Sequence, residues 1–118
     1  MPRFVILVHD HPFLHWDFLL EDGDHCRTWR LLVDPELSVP DFPAEAIPDH
    51  RLIYLDYEGP ISGQRGSVTQ WDSGTFQWRL NQPAVCEVIL SGKRWHGLVR
   101  MDSTDAVHWK GSRKPSPE

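Results

Sequence analysis

The 118-residue chain holds only two cysteines, Cys26 and Cys86. Two can close at most one bridge, so no disulfide framework holds the fold, and two reduced thiols in a cytosolic protein are the expectation. No apolar run approaches the ~20 residues needed to span a bilayer. The first such run, Phe4 to Val8, is too short for a signal peptide and no small-residue cleavage site follows it. A soluble cytoplasmic protein is expected. A basic excess is missing too: 12 Lys and Arg face 17 Asp and Glu, for a formal net charge of −5. Proteins that hold long stretches of nucleic acid neutralise many phosphates, so this balance argues against extended duplex binding. It leaves open the grip of a single phosphate by locally clustered cations or by a metal. Internal repeats and zinc-finger spacings are absent as well.

What is present reads as one small domain. Hydrophobic residues make up 40% of the chain and charged residues 25%, within the globular range. Phe4 to Val8 is β-branched and apolar, a buried strand. In His15 to Glu21 polar and apolar residues alternate at first, as in a strand with one face in the core. Asp22-Gly23 suits a hairpin, and Arg27 to Val33 is the returning strand. Residues 34–49 carry Pro35, Pro40, Pro43 and Pro48, which predicts a loop crossing the domain with at most a helical turn near Ala44 to Ala46. Strands are then expected at 51–57, 67–72, 76–80, 85–90, 97–101 and 107–110, with turns at Asp72-Ser73-Gly74 and Ser91-Gly92-Lys93. Many short strands at regular spacing indicate a sandwich or barrel. The expected fold is a mainly β, single-domain barrel of about eight short, mostly antiparallel strands with little helix. The domain is expected over 1–110, with a disordered tail over 111–118.

The chemistry concentrates between His9 and Glu21. Alternate residues of a strand share a face, so His15, Asp17, Leu19 and Glu21 line one side and Trp16, Phe18 and Leu20 the other. His9 ends the preceding strand and His11 follows it. Imidazole with carboxylate suits Mn²⁺ or Zn²⁺, between soft thiolate sites and hard all-oxygen sites. A catalytic ion needs about three protein ligands and an open position, and His50 is a candidate to complete the set. From local spacing alone, surface or capping histidines are the plainer reading.

Several separate motifs, in order, add to this. His9-Asp10, then Leu14-His15-Trp16-Asp17-Phe18-Leu19-Leu20-Glu21, resembles the signature of the 3′-phosphoesterase domain family of bacterial DNA ligase D. The likeness continues through Trp29, Asp49-His50 with Leu52 and Tyr54, Tyr57-Glu58-Gly59, Trp71-Asp72, Gly92-Lys93 and Leu98-Val99-Arg100. It covers about residues 4–110. The resemblance implies a β-barrel with a groove for one divalent metal, typically Mn²⁺, with Zn²⁺ or Co²⁺ as alternatives. His9, Asp17 and His50 fall on the family's metal ligands. His15 and Tyr54 fall on residues that contact the reacting phosphate, and Glu21 is expected to support the site by a hydrogen bond. The implied reaction removes a 3′-phosphate or 3′-ribonucleotide from a primer strand. The implied partners are a nucleic-acid 3′ end and, beyond it, DNA ligase or other end-repair proteins, for a monomer that needs no membrane.

The chain also departs from the family. Leu19 stands where the family has an arginine, and Leu7-Val8 where it has Gln-Lys. Phe42 stands near an expected basic residue, and the segment Ile61 to Ser67 is shortened. Arg65, in a glycine-flanked loop, is the first candidate to replace the lost charge as a catalytic and substrate-binding residue. Arg51 and Arg30 are the others. Two further functions are therefore weighed: a catalytically weak relative that binds metal, nucleic-acid ends or a repair partner, and a hydrolase of small phosphoesters.

Overall fold

The computed structural model describes residues 1–37 and 39–116. The elements run β1 (Arg3–His9), β2 (His15–Asp22), β3 (His25–Leu31), β4 (Asp41–Arg51), a 3₁₀ turn (Leu52–Leu55), β5 (Gly59–Pro60), β6 (Ser67–Gln82), β7 (Val85–Gly92), β8 (His96–Ser103) and β9 (His108–Lys114). Neighbours pair in the order β1-β2-β3-β4-β9-β8-β7-β6-β5, and β1 also pairs with β6. Eight antiparallel strands thus close into a ring, and the two-residue β5 attaches to β6 outside it. The mainly β, single-domain class expected from the sequence holds. No helix among the described residues is long and apolar enough to cross a membrane.

Period-two alternation sorts the side chains. Phe4 and Ile6 of β1 and Phe18 and Leu20 of β2 point into the ring, where they meet Trp29, Phe76, Trp95 and Trp109. The Phe18 ring lies 5.9 Å from Trp95 and 6.2 Å from Phe4 and from Trp29. Trp16 and Trp71 pack against the same cluster from its edge. Burying each such large apolar side chain contributes about 1.5–3 kcal/mol. On the opposite side of the same hairpin Val5, Leu7 and Leu19 form a second cluster with Cys26, Leu55 and Val68. Leu52, Tyr54, Tyr57 and Ile61 cover it.

The structure differs from the sequence expectations in several places. Residues 41–49 are not loop: they belong to the eleven-residue β4, and Ala44 to Ala46 is strand rather than helical turn. The prolines fit because the ladder does not need their missing donors. Pro48 falls where the β3–β4 register shifts, and the carbonyl of Pro43 still accepts the N–H of Leu32 at 3.1 Å. Residues 52–55 turn as a 3₁₀ helix where strand was expected. Asp72-Ser73-Gly74 is no turn, because β6 runs unbroken while its partner changes from β1 to β7. Asp72 instead accepts backbone N–H groups from Ser73, Lys93, Arg94 and Trp95, pinning the β7–β8 turn. Gly74 is needed there, since a Cβ would lie 2.2 Å from the Ser91 carbonyl oxygen. Last, β9 continues to Lys114, so the segment expected to be a disordered tail is strand at its start. Gly111 holds it against the Phe42 ring, where no Cβ fits. Residues 117 and 118 of that expected tail lie outside the described residues.

Candidate metal centre

His9 is the last residue of β1 and His15 the first of β2, and they are register partners. Asp17 comes two residues later on the same face. Their rings and carboxylate therefore meet where the hairpin opens. The His9 and His15 ring centroids are 4.9 Å apart. Asp17 Oδ1 lies 3.3 Å from His15 Nε2, and Oδ2 lies 3.7 Å from His9 Nδ1. One ligand atom from each of the three residues falls within 4.8 Å of the others.

The loop before β6 covers this group. Asp10 Oδ1 accepts the N–H of Ser67 at 2.8 Å, which holds the Asp10 carboxyl below the usual carboxylate range. Gly66, at φ +74°, brings the chain so close that a Cβ would meet Asp10 Oδ1 at 2.1 Å. The turn places the Arg65 carbonyl 2.9 Å from His9 Nε2. Nε2 therefore donates and leaves the Nδ1 lone pair facing Asp17. His15 repeats the device with Nδ1 donating to the Phe13 carbonyl at 2.8 Å. His50 does so with Nδ1 donating to Pro48 at 3.1 Å. Three imidazoles thus each have one nitrogen tied to a backbone carbonyl and the other free, the arrangement that orients a metal-binding histidine.

Asp17 is 2% exposed, and its Oδ1 is buried with no hydrogen-bond partner among the described residues, with His15 Nε2 3.3 Å away. A buried, unmatched carboxylate oxygen is costly and is satisfied by a cation. Ligand atoms on one ion at about 2.1 Å each sit roughly 3–4 Å apart, the separations seen around Asp17. The donors present therefore fit a divalent metal. Burial opposes protonation of His15, but Asp17 and the Phe13 carbonyl outweigh it and hold the His15 pKa above the ordinary histidine value.

The family model of the DNA ligase D 3′-phosphoesterase domain matches residues 8–102. The chain belongs to this family. The multifunctional non-homologous end joining protein LigD of Pseudomonas aeruginosa is 33% identical over 113 residues, covering 83% of this chain. The chain spans 13% of the length of that relative.

Seen as a 3′-phosphoesterase-family domain, the cleft gathers most of the residues singled out in the sequence. His9, Asp17, His50, Tyr54, Arg51 and Arg65 all line one cleft of about 450 Å³. His50 stands outside the tight group of His9, His15 and Asp17, so His15 joins the ligand candidates on geometry. Tyr54 reaches the cleft from the 3₁₀ turn rather than from a strand, and its ring lies 5.5 Å from His50. Arg65 turns its guanidinium back to Ser62, with Nε 2.7 Å from the carbonyl. Arg51 lies over the Tyr54 ring at 5.8 Å. Glu21 does not support the site. It is four residues along β2 from Asp17, about 13 Å at strand rise, and accepts the backbone N–H of Arg3. Leu19 is wholly buried in the outer apolar cluster.

Arg30 and His11 also line the cleft, and neither stood among the leading residues of the sequence reading. The hairpin turns at Gly23-Asp24, one residue beyond the Asp22-Gly23 expected from the sequence, and that shift makes Arg30 rather than Thr28 the cross-strand partner of Asp17. Three buried side-chain polar atoms lack partners among the described residues, and two of them, Asp17 Oδ1 and Arg30 Nε, belong to this cleft.

Proposed function

We propose that the chain is a divalent-metal-dependent phosphoesterase that removes a 3′-terminal phosphate or ribonucleotide from a DNA or RNA primer strand. The observation that carries this reading is Asp17. Its buried carboxylate lacks a hydrogen-bond partner at Oδ1 and faces free nitrogens of two imidazoles that backbone carbonyls hold in place.

In this reading His9, Asp17 and His50 hold the ion, which is Mn²⁺ first, with Zn²⁺ or Co²⁺ as alternatives. Such an ion, when bound, polarises a phosphoryl oxygen and lowers the pKa of a bound water to about 7. His15, fixed through Nδ1, presents Nε2 to the reacting phosphate and protonates the leaving 3′-oxygen as the P–O bond breaks. Tyr54 donates its hydroxyl hydrogen bond to a phosphate oxygen. Arg51 and Arg65 supply positive charge at the rim of an otherwise acidic protein. Water enters, inorganic phosphate leaves, and the strand keeps a 3′-OH for a ligase or polymerase. The partners are then a primer end and an end-joining enzyme, met by a cytoplasmic monomer.

The test is release of inorganic phosphate from a 3′-phosphorylated primer with and without Mn²⁺. Release that depends on Mn²⁺ and disappears in Asp17→Ala and His9→Ala is the expected result. His15→Ala is expected to lose turnover with a smaller loss of Mn²⁺ affinity than His9→Ala, whereas His50→Ala loses both. A second reading draws on Leu19, whose burial leaves no guanidinium at that place in the fold. Tight metal binding with no turnover on primer ends or small phosphoesters, across Mn²⁺, Zn²⁺ and Co²⁺, would establish a silent binder and end the catalytic reading.

A further inference from the structure

Resting on the phosphoesterase reading, we propose that Arg30 is the phosphate-gripping residue of the cleft, reaching the scissile phosphoryl group from β3. The argument starts from register. Arg30 lies directly across from Asp17 in the β2–β3 ladder, so both side chains leave the same face of the sheet. Cross-strand residues of opposite charge usually pair. These two do not: Arg30 makes no salt bridge among the described residues, and its Nε is buried without a hydrogen-bond partner. The guanidinium stacks instead over the Phe13 ring at 5.2 Å, and Phe13 meets His15 edge-on at 5.5 Å. Such a contact satisfies none of the guanidinium's N–H donors.

Most other arginines are held by acceptors; Arg113 also stacks, over Trp95 at 4.2 Å, but does not line this cleft. Arg3 is paired with Asp56, Arg79 with Glu87, Arg94 with Glu36 and Arg100 with Glu87 and Asp102. Arg65 is bonded to Ser62, and Arg51 is exposed on the rim over Tyr54. Arg30 alone among the cleft arginines combines a half-buried side chain, an aromatic ring beneath it and a buried, unmet donor. A guanidinium of this kind matches two oxygens of a phosphate at once, which a point charge does not. Separation from Asp17 completes the case. The carboxylate stays free for a cation while the guanidinium, over Phe13, waits for an anion. The cleft then has a cation place and an anion place side by side.

The experiment compares wild type, Arg30→Ala and Arg30→Lys in the full chain, on a 3′-phosphorylated primer with Mn²⁺. Arg30→Ala should lower kcat/KM by roughly 10²–10³-fold, the usual loss for one stabilising donor. Inhibition by inorganic phosphate should weaken about tenfold, and Mn²⁺ affinity should not change. Arg30→Lys should recover part of the loss, because it restores the charge and not the fork. Unchanged kcat/KM and unchanged phosphate inhibition in Arg30→Ala would overturn the proposal, as would a loss that follows weakened Mn²⁺ binding. If wild type releases no phosphate at all, the function proposed above falls, and the anion site is judged alone. Inorganic phosphate titrated into the wild-type protein should then shift the Arg30 Nε–H resonance, and an unmoved resonance would sink the site.

Discussion

The two faces of the β1–β2 hairpin are both buried, yet they are built to different ends. One face sends Phe4, Ile6, Phe18 and Leu20 into the closed ring, where aromatic packing satisfies them. The other begins the same way, with Val5, Leu7 and Leu19 in an apolar cluster, and then changes to His9, His15 and Asp17. The ring is sealed by strands on every side. The outer face is covered only by the 3₁₀ turn and the loop leading to β6, and the cleft opens between that cover and β4. A closed sheet therefore leaves its interior to stability, and the site lies where a second, separable layer meets the outer surface. The unmatched Asp17 oxygen and Arg30 nitrogen are on that side.

Adjacent residues give the sharpest way to break this division. Asp17→Asn should lower turnover by about 10³-fold or more, since it removes a charged donor from the ion and the reacting group. In the absence of metal, at a pH where His15 is neutral, it should leave urea stability unchanged or higher, because a buried carboxylate with no hydrogen bond at Oδ1 loses its charge. Phe18→Ala should do the reverse. It should cost about 3–5 kcal/mol of stability, and the molecules still folded should bind Mn²⁺ with wild-type affinity. Equal destabilisation by both changes in urea melts would show that the faces are not divided in this way.

Leu19→Arg tests the apolar half of the outer face. The side chain would enter a cluster of Val5, Leu7, Cys26, Leu55 and Val68 with no acceptor among them. Burying an unpaired guanidinium there should cost about 3–5 kcal/mol, seen as a lower urea midpoint, with no gain in turnover. A gain of tenfold or more on primer ends would show instead that the new side chain passes Leu7 and reaches the phosphate.

Much of this division could be read from the chain. Alternation at the start of His15 to Leu20 separates the two faces, but the register that puts Arg30 across from Asp17 comes from a turn at Gly23-Asp24, one residue past the Asp22-Gly23 signal. The fold was less legible where tertiary pairing outweighs local preference. β4 forms through two prolines because β3 and β9 supply partners on both edges, while its irregularity absorbs Pro48. The turn signal at Asp72 failed because the carboxylate serves another turn, 20 residues on. In the site, alternation identified the correct face for Glu21 but not its distance along the strand. His50 and Tyr54 meet through a 3₁₀ turn that nothing in Arg51 to Tyr57 announces.

Gly66→Ala probes the cover at its tightest point. The added Cβ must occupy a left-handed conformation and the space of the Asp10 carboxylate. The cost should be about 1–2 kcal/mol. The Arg65 carbonyl should also move off His9, with Mn²⁺ affinity down roughly tenfold, as when a partner that orients a ligand is lost. Calorimetric titration with Mn²⁺ checks both the site and the loop that positions it.

The smallest expected effect compares one thiol on each face. Both cysteines are free. Burial pushes Cys26 in the outer cluster up to about 11 and Cys86 in the ring up to about 12. Near pH 8 both are therefore protonated, and a thiol-directed reagent attacks each only when it becomes exposed. Cys26 needs the 3₁₀ turn and its loop to lift, a local opening that uncovers little surface. Cys86 needs the ring itself to open. Labelling of Cys26 should be faster by about tenfold and almost independent of low urea, while labelling of Cys86 should accelerate with urea along the global unfolding slope. Mass spectrometry of the labelled peptides separates the two. Equal rates with the same urea dependence would mean that cover and ring open as one unit, and that the cleft has no layer able to move apart from the core.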